Sequence, residues 1–248
     1  MNILINLLKM ERFHLFHNRT YWLSAFLIFM LGFITADTYV SELFGPEERI
    51  ASSLGDVFNG MVYDSTFLLI IISCVLALIL GQEFSFRTIH QEISAGHSRL
   101  MVFISKTTVY LSAFNLLALV YPTAGCIREF SRFGLSDPGS FFYALAKAAF
   151  NSFLLNSSVF LIPVLCCFGL KSMTKALSVT ALVTFVSSLY LGYGMMLKLP
   201  VRFLPAFQIR KMVTGTDIFS IESLAVAVAW NAVLIYASWH IFRRCDLK

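Results

Sequence analysis

The sequence is poor in charged residues, and this scarcity excludes a soluble domain. Asp, Glu, Lys and Arg make up 13% of the 248 residues, whereas soluble domains average about 25%. Hydrophobic residues account for 58%, and many lie in runs that approach the roughly 20 apolar residues needed to cross a bilayer as a helix. The composition therefore predicts an all-α polytopic membrane protein, with residues 1–248 forming a single transmembrane domain.

Several chemical motifs are also absent. The chain has no H-E-x-x-H sequence, and no C-x-x-C spacing joins any of its five cysteines. The segment GLKS at 169–172 lacks the early glycine and the Gly-Lys pair of a phosphate-binding loop. These absences predict no catalytic, metal or cofactor site in this chain. The basic residues are scattered among loops and helix ends, which argues against a nucleic-acid partner.

The middles of the apolar runs contain no Asp, Glu, Lys, Arg or His. A charge inside a bilayer is costly and is usually kept for a function. We interpret Lys106, Lys147 and His240 as close enough to a membrane surface to extend toward it. A proton or sodium relay is therefore not expected, and the sequence offers no convergent ionisable residues for a membrane enzyme.

The apolar runs predict six spanning helices and two further membrane-associated segments. Residues 1–19 carry Leu and Ile on one helical arc, interrupted by Glu11, which predicts an amphipathic interfacial helix. Residues 198–222 contain apolar stretches too short to span, which predicts a part-buried external segment. The predicted spans cover about residues 21–39, 66–81, 100–127, 141–170, 176–197 and 223–242.

The distribution of basic residues predicts the orientation of these spans. With the N-terminus inside, eleven of the 19 Lys and Arg residues fall on the cytoplasmic side, as the positive-inside rule favours. Both termini and residues 82–99 are then cytoplasmic. The bias is weakened by basic residues in 198–222.

Uncharged polar residues inside the predicted spans can have two roles. They can hydrogen-bond between helices, or some can line a pathway for a substrate. The candidates for such a pathway are Asn151, Ser158, Ser187, Ser188 and Asn231.

The polar segment between the second and third spans resembles a known family. The residues that carry the likeness are Gln82-Glu83-Phe84, Arg87-Thr88-Ile89, Gly96, Ser98-Arg99 and Lys106. Together with the predicted layout, they resemble the coupling segment of ABC transporter permeases of the type-2 exporter class. The chain departs from the family at Ser85-Phe86-Arg87, where many members have a small or Gly-containing turn.

The resemblance implies a coupling helix that contacts an ATPase. Phe84 and Ile89 would be its apolar anchors, and Glu83, Arg87 and Glu92 would form a polar rim, with Thr88 between them. It further implies two separate ABC ATPase subunits that carry ATP and Mg²⁺, and a second copy of this chain or a sister permease. The size resembles permeases of bacterial peptide-antibiotic export and immunity systems, which implies the bacterial cell membrane and a lipophilic or amphipathic substrate.

The sequence is also compatible with two other functions. One is a non-transporting sensor or channel subunit, which would not require an ATPase partner. The other is a polytopic membrane enzyme that acts on lipid or peptide.

Overall fold

The computed structural model describes residues 2–41, 51–134, 138–214 and 220–245, and all of their regular structure is helical. Residues 42–50, between the first and second predicted spans, and residues 215–219 of the predicted external segment lie outside the described residues. The helices are α1 (Asn2–His17), α2 (Arg19–Thr35), α3 (Thr38–Ser41), α4 (Leu54–Tyr63), α5 (Thr66–Ser85), α6 (Thr88–Ser94), α7 (Arg99–Phe133), α8 (Pro138–Leu170), α9 (Met173–Met196), α10 (Pro205–Thr214) and α11 (Ile221–Arg244).

Six of the helical segments are long and apolar enough to cross a membrane, as predicted. They are residues 19–41, α5, α7, residues 141–170 of α8, α9 and α11. The chain is therefore built as a multi-pass membrane protein. Within the bundle α5, α7 and α8 are the most buried spans, while α2, α9 and α11 present apolar side chains outward.

Local sequence explains where several helices begin and end. The Asn18 side chain accepts a hydrogen bond from the Thr20 amide, and Ser98 does the same for Met101, because the first amides of a helix have no partner within it. Gly134 has a φ of 61° and ends α7, in the left-handed region that glycine adopts without steric cost.

Because consecutive spans run in opposite directions, the short helices lie at two ends of the bundle. One end, called here the α1 end, carries α1, α6, the α8–α9 turn and the end of α11. The other, called the α10 end, carries α3, α4 and α10, and α4 contacts α7, α8 and α10 there. In the segment 198–222, Val201, Leu204, Ile209 and Met212 are buried.

The helix boundaries differ from the predicted ones, most clearly in α5 and α7. Helix α5 continues to Ser85, so Glu83 and Phe84 belong to a long span and not to the connection after it. Helix α7 runs from Arg99 to Phe133, which is longer than the predicted 100–127. Apolar runs alone placed these ends too close to the membrane centre, because they stop at the first polar residue whether or not the helix does.

Candidate functional site

Lys106 is the centre of a buried ionic cluster at the α1 end. It lies about two turns into α7, and its side chain is only 1% exposed. Its Nζ donates hydrogen bonds to Glu11 Oε1 at 2.7 Å, Glu83 Oε2 at 2.5 Å and Glu92 Oε1 at 2.8 Å. One ammonium group thus uses all three of its protons on carboxylates.

Tyr110 completes the cluster one helical turn further along α7. Its Oη donates to Glu83 Oε1 at 2.5 Å, so both carboxylate oxygens of Glu83 accept hydrogen bonds. Residues four apart share a face of a helix, and for this reason Lys106 and Tyr110 reach the same carboxylate. We call Glu11, Glu83, Glu92, Lys106 and Tyr110 the Lys106 cluster.

The Lys106 cluster joins four helices through side chains. Glu11 comes from α1, Glu83 from the last turn of α5, Glu92 from α6, and Lys106 with Tyr110 from α7. Removing one partner from a buried ion pair is strongly destabilising, because the remaining charge has no compensation. The short helix α6 is therefore attached to three other helices and cannot move independently of them without breaking charge-assisted bonds.

The cluster contains more acidic than basic groups, and burial shifts one of them. Burial, together with the neighbouring Glu83 and Glu92, raises the pKa of Glu11 to about 8 against the opposing charge of Lys106. An ionised carboxylate loses its water on burial, so the neutral form is favoured. Near neutral pH, Glu11 therefore holds a proton in the folded protein.

The three carboxylates also have the spacing of a cation site. Their ligand oxygens all lie within 4.8 Å of one another, as oxygen ligands around a hard cation would. The ammonium of Lys106 is the cation that they hold. In this arrangement the group acts as a cross-link between helices.

The structure overturns two sequence-based expectations about these residues. Lys106 does not extend to a membrane surface, because its side chain is 1% exposed and its ammonium is bonded to three carboxyl groups inside the chain. Ionisable residues do converge, since Glu11, Glu83 and Glu92 meet it although they lie far apart in sequence. Two features of the sequence are consistent with this cluster: Glu11 interrupts an apolar arc of α1, and Tyr110 follows Lys106 by one helical turn.

The structure separates the six residues predicted to contact an ATPase. Phe84 and Ile89 are 5% and 0% exposed, and the Phe84 ring packs edge-on against Phe168 with centroids 5.4 Å apart. Glu83 and Glu92 belong to the Lys106 cluster. Thr88 is half-buried, with its hydroxyl donating to the Glu83 carbonyl at 3.1 Å, and Arg87 is exposed.

The turn that precedes α6 is exposed. Phe86 is 72% exposed, and the neighbouring Arg87 has a φ of 58°. A non-glycine residue in this left-handed conformation costs roughly 1 kcal/mol. This turn is also where the sequence departs from the ABC permease pattern, and Arg87 takes the backbone conformation that a glycine would adopt freely. We call Phe86 and Arg87 the exposed turn.

Three of the five predicted pathway residues line one cavity. Ser158 of α8 and Ser187 and Ser188 of α9 face a space of about 50 Å³ that Trp230 and the start of α10 also border. Such a volume accommodates only a few water molecules. Asn231 instead donates to the Leu154 carbonyl at 3.1 Å, and the side chain of Asn151 lies outside the described residues.

The shifted pKa of Glu11 predicts a pH-dependent stability. The unfolded chain loses this proton near pH 4.5, whereas the folded chain keeps it to about pH 8. The free energy of unfolding should therefore fall as pH rises from 4.5 to 8, by at most about 1.4 kcal/mol per pH unit, and level off above. The thermal unfolding midpoint of the purified protein in detergent, measured across this range, checks the prediction.

Variants identify the group responsible. Glu11→Gln retains an acceptor for Lys106 and cannot ionise, so its unfolding midpoint should depend less on pH than that of the wild type. Asp37→Asn removes an acid whose side chain is 63% exposed and should keep the wild-type slope. If Glu11→Gln also kept that slope, Glu11 would not be the titrating group.

No protein-family model matches this chain, and no curated protein matches its sequence.

Proposed function

We propose that this chain is the membrane-spanning permease subunit of an ATP-driven exporter. A separate pair of ATPase subunits binds ATP and Mg²⁺, and this chain carries no catalytic site. Two copies, or one copy with a sister permease, form the complete membrane domain in a bacterial cell membrane. The proposed orientation puts both termini, and therefore the α1 end, in the cytoplasm, with α1 lying at the membrane interface.

The observation that carries the proposal is the way α6 is held between two spans. The exposed turn presents an aromatic ring and a guanidinium group, which are typical anchors of protein interfaces. Immediately behind it, Ile89 is buried in the core and Glu92 is bonded to Lys106. A force applied to the exposed turn is transmitted through the Lys106 cluster to α1, α5 and α7.

The serine-lined cavity supports a transport role at the opposite half of the bundle. It lies among α5, α8, α9, α10 and α11, on the far side of the chain from α6. Its present volume is too small for a lipophilic peptide, so transport requires these helices to separate. ATP-driven alternation between two states with different substrate affinity supplies that separation in our proposal, and the substrate class is lipophilic or amphipathic.

The Lys106 cluster does not favour the alternative of a membrane enzyme. Catalysis needs groups that can reach a substrate, whereas Glu11 is 1% exposed and both oxygens of Glu83 already accept hydrogen bonds. The remaining alternative is a sensor or channel subunit without an ATPase.

The test is whether Mg²⁺-dependent ATP hydrolysis accompanies the protein and depends on the exposed turn. The chain is purified from its native membrane in mild detergent, as wild type and as Phe86→Ala with Arg87→Asn. Asn tolerates the left-handed backbone of Arg87, so folding is preserved. Because anchors of this kind each contribute more than about 1 kcal/mol, the variant should lose at least about nine-tenths of the associated hydrolysis.

The chain contains a matched control at the α10 end. Arg202 and Phe203 are adjacent and exposed there, so Arg202→Asn with Phe203→Ala removes the same two side chains from the other end. This control should retain wild-type hydrolysis. Equal hydrolysis in both variants would refute the assigned contact, and no associated hydrolysis in the wild type would favour the sensor or channel alternative.

A further inference from the structure

A groove between α1 and α7 combines apolar walls with two cationic side chains. It has a volume of about 320 Å³ and lies beside the Lys106 cluster on the outer surface. Leu8 and Phe16 of α1 and Val109 and Leu116 of α7 form its apolar walls, and Lys9 and Arg12 lie on the α1 side. A groove with apolar walls and a positive rim is complementary to an amphiphilic anion, which has an apolar part and a negatively charged group.

The groove lies at the depth where a bilayer changes from headgroups to hydrocarbon. Tyr21 Oη donates to the Ala113 carbonyl at 3.2 Å, so the start of α2 is level with Ala113 of α7. Tyr and Trp concentrate at membrane interfaces, and Trp22, next to Tyr21, is 56% exposed.

The two cations at the rim are available to a ligand. Lys9 and Arg12 are exposed, and within the described ranges neither forms an ion pair. Glu11 lies between them in the sequence, but its side chain is buried and accepts a hydrogen bond from Lys106. The nearest acid is thus committed elsewhere, and the rim has a net positive charge.

We propose that this groove binds one anionic phospholipid from the leaflet at the α1 end. The phosphate and the anionic headgroup lie against Lys9 and Arg12, and an acyl chain packs along α7 between Phe16 and Leu116. A free phosphate would leave the apolar walls exposed, and a zwitterionic lipid would bring its own cation to the positive rim. The proposal does not depend on the proposed transport function.

The test titrates the delipidated full-length protein in detergent with phosphatidylglycerol or phosphatidylcholine and counts bound lipids by native mass spectrometry. The wild type should bind one phosphatidylglycerol with preference over phosphatidylcholine. Basic residues near a membrane surface each contribute about 1 kcal/mol to the binding of anionic lipid, so Lys9→Gln with Arg12→Gln should weaken this binding by about tenfold or more.

Two further variants separate a groove from general surface charge. Lys175→Gln with Arg244→Gln removes two exposed cations at the same end and should bind phosphatidylglycerol like the wild type. Ser112→Phe fills the groove without changing charge and should reduce binding. Equal loss in the Lys175 and Arg244 control, equal affinity for phosphatidylcholine, or unchanged binding in Ser112→Phe would each overturn the proposal. An unchanged thermal midpoint confirms that each variant is folded.

Discussion

Lys106→Met should strongly lower the free energy of unfolding of the protein. The substitution keeps the approximate length of the side chain and removes the ammonium, which leaves Glu11, Glu83 and Glu92 facing one another in the interior. Breaking a buried ion pair by removing one partner costs about 3–5 kcal/mol, which is a large part of the total stability of a typical domain. The measurement is the fraction of monodisperse protein after extraction, with the unfolding midpoint in a denaturing-detergent titration.

Two further variants test whether the loss of stability comes from the Lys106 cluster. Lys175→Met makes the same change at an exposed position of the same end and should leave the midpoint unchanged. Adding Glu83→Gln and Glu92→Gln to Lys106→Met removes the charges of these two carboxylates and should recover part of the loss. If Lys106→Met were as stable as Lys175→Met, the Lys106 cluster would not hold the helices together.

Gly32→Ala should separate α2 from α7. A Cβ atom at Gly32 would lie 2.3 Å from the backbone oxygen of Tyr121 and 3.2 Å from the Ala124 Cβ. The first contact is with backbone and cannot be relieved by a rotamer change, so α2 must shift. Overpacking of a tightly packed interior typically costs about 1–3 kcal/mol. Because the neighbour here is the backbone of Tyr121, we expect a cost at the upper end of this range. The unfolding midpoint of the purified variant measures the effect.

Gly192→Ala is the matched control on α9. A Cβ at this position would have no neighbour within 4 Å, and alanine is the better helix former by about 1 kcal/mol. This variant should therefore be as stable as the wild type or slightly more stable. Similar losses for Gly32→Ala and Gly192→Ala would mean that the close approach of α2 and α7 contributes nothing to stability.

Prediction from sequence succeeded where one helix alone carries the signal. The six apolar runs are visible because each span must provide its own apolar surface to the bilayer, and α9 and α11 fall close to their predicted positions. Helix ends were less accurate. Glu83 was assigned to a connection because it is charged, although it occupies the last turn of α5.

The candidate site was only partly visible in the sequence. The segment with Arg87 and Glu92 was singled out correctly as a place where polar residues interrupt apolar runs. Which of its side chains face outward could not be read from it, because Glu92 is held by Lys106, and Lys106 also binds Glu11 of α1, a helix far away in the chain. The resemblance therefore implied that Phe84 and Ile89 face an ATPase, whereas in the fold both side chains are buried within the chain.

The sequence by itself determined that this is a helical membrane protein with six spans, because the cost of placing polar backbone and charge in hydrocarbon acts on each segment separately. Only the tertiary structure decided that Glu11, Glu83, Glu92, Lys106 and Tyr110 form one cluster. Residues from four helices meet there, and a buried charge is tolerated only when distant segments supply its partners. That requirement depends on packing between helices, which no single stretch of sequence encodes.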